Sequence, residues 1–417
     1  MLATPADDFY FGLMPPRDAA VASAAPRRHH DRRNATNPRK GRTSMRRTYL
    51  GPDSAGRLAR AFLLVTFYFL SAASAFAGFY GKWGLREGHL RNSLPLMVDG
   101  GAQRPFVYRQ LFPLIANAVD AAIPPALKAR IVSDLVLPQR HDPAITRTGL
   151  RRTDAGNPAY ALRYHVVYYL SFASLFLALF AMRQVALWSG LDGPAALLAP
   201  PAFALGLPVL LSVGGYFYDL GEVLFLFLAL ACAMSWRGLL PPLAVVATLN
   251  KESFLFYLAT LLPLVVRHRR DWRGAAVLGA AGLASGLTYL AVNRHFAANP
   301  GGMVEFHLFQ NLLYYLNPWH VFRIEVTYGV VMFAGYSLVT LALVGVFIWL
   351  GRGCLSPPLR RHAALALVVN LVLLMLFCYP AETRNLSLLY PTLLLLIAGT
   401  LQSLWPAITR SAASGTR

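Results

Sequence analysis

Two carboxylates and a lysine stand in this chain where apolar residues otherwise prevail. Asp219 and Glu222 follow Tyr216-Phe217-Tyr218 at the head of an apolar run. Their i, i+3 spacing puts both on one face of a helix near its start, where acids favour the N-terminal dipole. Asp219 is either a helix cap or a site carboxylate. Glu222 lies one turn deeper, where capping does not explain it. Lys251 and Glu252 interrupt a second apolar stretch within Asn250-Lys-Glu-Ser253. An ionised group in hydrocarbon costs about 2.5–3.5 kcal/mol on insertion scales, so such groups face a partner or a wet cavity. Lys251 therefore either closes an ion pair, with Glu252 or between helices, or meets an anionic substrate group while Glu252 or a neighbour holds it.

A third constellation is Asp99-Gly-Gly-Ala-Gln-Arg-Pro-Phe-Val-Tyr-Arg109, an acidic turn followed by two guanidinium groups and an aromatic. The arginine fork bonds two phosphate oxygens at once, so Arg104 and Arg109, with Tyr108 between them, are candidate phosphate contacts. Lipid-headgroup binding by either arginine is the competing reading. Glu382 and Arg384, with Tyr390-Pro391 downstream, complete the polar set.

The elements that position these residues are membrane spans. In 417 residues, 56% are hydrophobic and 14% charged, too apolar for a water-soluble domain. Runs such as 61–79, 364–377 and 386–404 approach or reach the roughly 20 residues that cross a hydrocarbon core. The net charge of +20 resides in the N-terminal tail and short loops rather than on one soluble face, so topology explains it and nucleic acid is not a partner. Cys232, Cys354 and Cys378 have no metal-ligand spacing and read as small core or interfacial residues.

Spans are expected at 60–80, 163–182, 195–213, 218–234, 274–292, 326–350, 362–377 and 386–405. The stretch 239–266 differs. Its two apolar halves, 239–249 and 253–266, are each too short to cross, and it lies between Trp236-Arg237 and the basic loop Arg267-His-Arg-Arg270 with Arg273. By the positive-inside rule both its ends are cytoplasmic, so it reads as a returning hairpin with the polar quartet at its tip. The fold class expected is all-α, a polytopic transmembrane bundle of about eight full spans plus that hairpin, with surface-lying helices in a large first external loop. One such helix follows Pro105, another occupies about 126–137, and an amphipathic segment is expected at 303–316.

Domain boundaries follow. Residues 1–58, which carry the pair His29-His30 and an alternative start at Met45, form a disordered basic cytoplasmic tail. Residues 59–406 form the transmembrane domain, with 81–161 as its external loop, and 407–417 form a second cytoplasmic tail. Abundant Arg, Ala, Leu and Gly resemble a GC-rich bacterial composition, so a bacterial inner membrane is expected, and eight full crossings plus the returning hairpin put both termini in the cytoplasm. With topology assigned from arginine loops alone, the remaining ionisable groups gather on the external face: Glu87, Asp99, Arg104 and Arg109; Asp219 and Glu222; Lys251 and Glu252; His307, His320 and Arg323; Glu382 and Arg384.

An acidic residue, several cations and a lipid-facing cavity suit transfer of a sugar from a lipid phosphate. A carboxylate accepts the acceptor's proton while cations stabilise the departing phosphate. The pieces Arg104-Pro-Phe-Val-Tyr-Arg109, Gly215-Tyr-Phe-Tyr-Asp219, Asn250-Lys-Glu-Ser253 and Glu382-Thr-Arg384, in this order on this span pattern, resemble the GT-C superfamily of polyprenyl-phosphate-sugar glycosyltransferases. That resemblance covers about residues 60–405 and implies a polyprenyl-phosphate sugar donor, membrane lipid, and a glycan, lipid or protein acceptor. It implies Asp99 as catalytic base or metal ligand, with Glu87 competing for the role. Asp219 and Glu222 join Asp99 as candidate catalytic carboxylates; Arg104, Tyr108, Arg109, Tyr216, Lys251, Glu252, Glu382 and Arg384 are candidate substrate contacts. A divalent metal is compatible with the sequence but not required by it. A transporter or flippase, or a polysaccharide polymerase, is the alternative use of the same residues.

Overall fold

The computed structural model describes residues 52–141, 154–302 and 305–414. Most of the tail expected over 1–58, with Met45 and the histidine pair, lies outside them. The chain divides into two units, Met1–Phe67 and Tyr68–Arg417. The described part of the first is the opening half of helix α1, Pro52–Trp83. Residues 52–58, assigned to the tail, are therefore its first turns; Pro52 suits a helix start because the N–H it lacks has no intrahelical acceptor there.

In the second unit the first loop carries α2 (Leu94–Val98), a 3-10 turn at Phe106–Tyr108, α3 (Leu111–Ala122) and α4 (Pro125–His141). Both helices expected in that loop are thus present. Next come α5 (Ala161–Trp188), α6 (Gly193–Leu210) and α7 (Phe217–Met234). Among the described residues seven helical segments are long and apolar enough to cross a membrane: Gly56–Trp83, Ala161–Trp188, Gly193–Leu210, Phe217–Met234, Trp272–His295, Pro357–Phe377 and Thr383–Trp405. This is the helical, multi-span architecture of a membrane protein. Helix α5 shows the pattern that lipid imposes. Val167, Ser171, Ser174, Ala178 and Met182 are buried, whereas Tyr169 and Leu177 are more than half exposed, with small and hydroxylic side chains on the packed face.

The stretch after α7 breaks as its polar quartet requires. Helix α8 (Leu240–Asn250) ends where Lys251 turns extended, and α9 (Phe254–Thr260) and α10 (Leu262–Val265) follow. Its two ends meet. Arg237, before α8, pairs with Asp271, after α10, at 2.9 Å, and the Arg267 guanidinium donates to the Met234 carbonyl at 3.3 Å. Asp271 also accepts the backbone N–H groups of Gly274 and Arg267. Those two bonds, reinforced by Arg237, hold its carboxyl down at about 2. The tip reaches the other end of α7, where the Asn250 amide donates to the Tyr218 carbonyl at 2.9 Å. Gly221 lets it approach, since a Cβ there would come within 2.4 Å of Asn250 Oδ1.

Helix α11 (Trp272–His295) climbs back to the Asp219 end, and α12 (Leu308–Leu316) realises the amphipathic segment expected at 303–316, of which 303 and 304 lie outside the described residues. The span expected at 326–350 is not one helix. Residues Ile324–Thr327 and Val330–Phe333 form an antiparallel hairpin, β1 and β2, pairing Ile324 with Phe333 and Thr327 with Val330. Tyr328 and Gly329 both have positive φ, 59° and 76°, which a two-residue hairpin turn demands. Hydropathy cannot tell a short apolar strand from a helix, and the β-branched residues here favour the strand. Helix α13 (Leu338–Gly351) begins only after Ser337, whose hydroxyl accepts the Thr340 N–H. Helix α14 (Pro357–Phe377), a 3-10 segment at Thr383–Leu389 and α15 (Tyr390–Ser414) complete the chain. Residues 407–414, assigned to the C-terminal tail, thus continue α15.

Candidate functional site

Charged side chains from four parts of the second unit meet at the Asp219 end of the bundle. From α7, Asp219 and Glu222 point the same way, as their spacing requires, and both take Lys251. The Lys251 ammonium donates to Glu222 at 2.6 Å and to Asp219 at 3.1 Å, with all three side chains no more than 5% exposed. Asp219 also accepts the Tyr216 backbone N–H at 2.9 Å, so it is at once a cap and an ion-pair partner. The second Glu222 oxygen accepts from Ser253 and Ser387, each at 2.8 Å.

Arg384 extends the network. Its guanidinium bonds Glu382 at 2.6 Å and reaches Asp219 at 3.4 Å, while Glu382 also accepts from the Asn385 amide and the Tyr379 backbone N–H. The first loop supplies the fourth part. Arg109 grips Glu252 through two nitrogens, at 2.6 and 3.2 Å, and donates to the Tyr218 hydroxyl at 2.5 Å. Its guanidinium also lies 4.6 Å from the Tyr218 ring centroid. Tyr216 and Tyr218 stack 4.9 Å apart. Asp219, Glu222, Glu252 and Glu382 thus face Lys251, Arg109 and Arg384. Burial is affordable for these charges only because each has an opposite partner and further hydrogen bonds.

Accessibility within the network is uneven. Glu252 retains 27% of its side-chain exposure, against 8% for Arg109 and 4% for Glu222. The Arg109–Glu252 fork is therefore the more accessible edge of the network, and the Lys251 triad is its interior.

The structure thus brings together Arg109, Tyr216, Asp219, Glu222, Lys251, Glu252, Glu382 and Arg384. It does not bring in Asp99, Arg104 or Tyr108. Asp99 is 45% exposed, pairs with Arg163 at 2.9 Å and accepts from the Tyr160 hydroxyl at 2.6 Å, tying the first loop to the start of α5. The Arg104 backbone N–H donates to the Pro300 carbonyl at 2.8 Å, while its side-chain Nε is buried without a partner. Tyr108 donates to Asn293 of α11 at 2.9 Å. Glu87, the competitor of Asp99, accepts from the Leu85 N–H and the Tyr164 hydroxyl. Lys251 and Glu252 do not pair with one another, because each has a partner on a different element.

Sequence reasoning passed over Ser253 and Ser387 as ligands of Glu222, and it passed over Arg86. Arg86 follows Trp83 at the end of α1, where an arginine reads as an interfacial anchor. Its guanidinium instead lies 4.3 Å from the Tyr216 ring centroid, and its backbone is left-handed, at φ 64°. Among the described residues no three His, Cys, Asp or Glu side chains group so as to hold a metal ion. No protein-family profile, curated protein or solved structure matches the chain, so its functional reading rests on the geometry of this cluster.

Proposed function

We propose that this chain is a membrane-embedded glycosyltransferase that moves a sugar from a polyprenyl-phosphate donor to an acceptor hydroxyl at the Asp219 end of the bundle. The positive-inside rule makes that end external, because the arginine-rich turn around Arg267 lies at the other. One observation carries the reading: a solvent-reachable carboxylate, Glu252, is held by an arginine fork at the rim of a buried ionic network.

In the step we envisage, Glu252 accepts the acceptor's proton as the acceptor oxygen bonds to the anomeric carbon. The bond from that carbon to the phosphate oxygen breaks, and the phosphate leaves with the electron pair. Protonation cancels the charge that holds Arg109, which frees its fork for the departing phosphate. Lys251, Asp219, Glu222, Arg384 and Glu382 position the pair. Asp99 and Tyr108 are bound elsewhere and, like Arg104, make no contact with this network, so none of the three has a role in the step.

The test is lipid-sugar analysis of membranes expressing Glu252→Gln and Arg109→Lys at wild-type protein levels. Loss of transfer by at least a hundred-fold in Glu252→Gln is expected; unchanged glycan profiles sink the assignment. The transporter reading is favoured by one feature, the deep burial of the Lys251 triad. A cysteine at position 252, in a chain stripped of Cys232, Cys354 and Cys378, separates the two, because a transporter exposes it alternately to both sides.

A further inference from the structure

Beside the ionic network stands a cation, Arg86, that it does not neutralise. The Arg86 side chain makes no hydrogen bond or ion pair among the described residues, and its Nε is buried without a partner. The adjacent carboxylate, Glu87, is engaged with the Leu85 N–H and the Tyr164 hydroxyl. Arg86 nevertheless has a built seat. Its guanidinium lies 4.3 Å from the Tyr216 centroid and 5.2 Å from that of Trp83. Gly214 and Gly215 open the space: a Cβ on Gly214 would come within 2.3 Å of Arg86 Nη2, and one on Gly215 within 2.4 Å of the Trp83 ring.

The backbone of Arg86 is left-handed, at φ 64°, a conformation that is strained for a non-glycine residue and persists only where the surroundings impose it. Tyr216 carries a second guanidinium, Arg384, 4.5 Å from its centroid, but that one is already paired with Glu382 and Asp219. Burial, and then the charges of Arg86 and Arg91, push His89 below its usual range. A half-buried cation held in a strained conformation on two aromatic faces, with its own donors unspent, is a cradle for an anion.

We propose that Arg86, seated on Trp83 and Tyr216 above Gly214-Gly215, binds a phosphate-class anion, the headgroup of a lipid carrier. The planar fork matches two phosphate oxygens. The anion site stands on its own geometry, and only the carrier as its source rests on the transferase reading. Tyr216 links the two, since it also contacts Arg384 of the network.

The experiment measures binding of farnesyl phosphate to the purified full-length protein in detergent, with farnesol as the uncharged control and inorganic phosphate as competitor. Farnesyl phosphate binds at least ten-fold more tightly than farnesol, and Arg86→Gln removes that advantage. Arg91→Gln, on an exposed neighbour, changes affinity less than two-fold. Gly214→Ala displaces the guanidinium without removing it and weakens binding as Arg86→Gln does, which keeps the test decisive if one variant fails to fold. Equal affinity for farnesol and farnesyl phosphate in the wild type, or undiminished binding in both folded variants, overturns the proposal. Displacement by inorganic phosphate at equal concentration overturns the lipid source. Binding that persists in a Glu252→Gln chain devoid of transfer supports the anion site; the same loss of selectivity in Glu252→Gln as in Arg86→Gln overturns its independence from the network.

Discussion

Replacing Lys251 by methionine tests the claim that the buried triad holds the hairpin tip to α7. The ammonium lies 2.6 Å from Glu222 and 3.1 Å from Asp219, and at an effective dielectric near 20 each contact carries about 5–6 kcal/mol of gross attraction. Desolvating the three groups consumes much of that, so the net value of the pairs is small. Removing the lysine alone is a different matter, because it leaves two carboxylates in a site built for a cation between them. Arg384 reaches Asp219 only at 3.4 Å and is committed to Glu382. A loss of about 3–5 kcal/mol is expected for Lys251→Met. Most of it is recovered when Asp219→Asn and Glu222→Gln are added, since the uncompensated charge goes with them. Unfolding of the purified protein in detergent, followed by tryptophan fluorescence, reads both numbers. A single variant within 1 kcal/mol of wild type, or a triple variant no more stable than the single, refutes the reasoning.

Three further expectations concern the frame. With Asp271 held at about 2 against 3.8 unperturbed, its contribution is fully present above about pH 4 and is lost as pH falls toward about 2; Asp271→Asn flattens stability across that window in an acid titration. Gly215→Ala drives a methyl to 2.4 Å from the Trp83 ring and costs about 1–3 kcal/mol, measured by the same unfolding assay; a neutral result means that α1 and the 214–216 turn are not in contact. Gly329→Val forces a β-branched residue into φ 76° and costs about 1–2 kcal/mol, visible as accelerated proteolysis within 324–333.

Much of this arrangement is legible in the sequence because lipid makes charge conspicuous. Asp219, Glu222, Lys251 and Glu252 stand out against apolar surroundings, and the arginines at 237, 267, 269 and 270 put the ends of 239–266 on one side. What pairs with what was not legible. Nothing local tells Lys251 to choose Asp219 over its neighbour Glu252, or Asp99 to choose Arg163, 64 positions away. Those choices are made by packing. The error at 326–350 has a different origin, since valine and isoleucine satisfy a hydropathy window whether helical or extended, and only the turn at Tyr328-Gly329 decides. Arg86 was hidden because its significance lies in a backbone angle and in two glycines more than a hundred residues downstream.

The short helix that follows the β1–β2 hairpin has a consequence for the lipid around it. At 14 residues, α13 rises only about 21 Å, against roughly 30 Å of hydrocarbon. The hairpin cannot make up the difference in the core, because its outer strand edges would carry unpaired peptide groups into oil. A helix of that length matches the hydrocarbon only where the bilayer thins, where flanking side chains snorkel or where it associates with further helices, whereas the 28-residue α5 is long enough to cross with tilt.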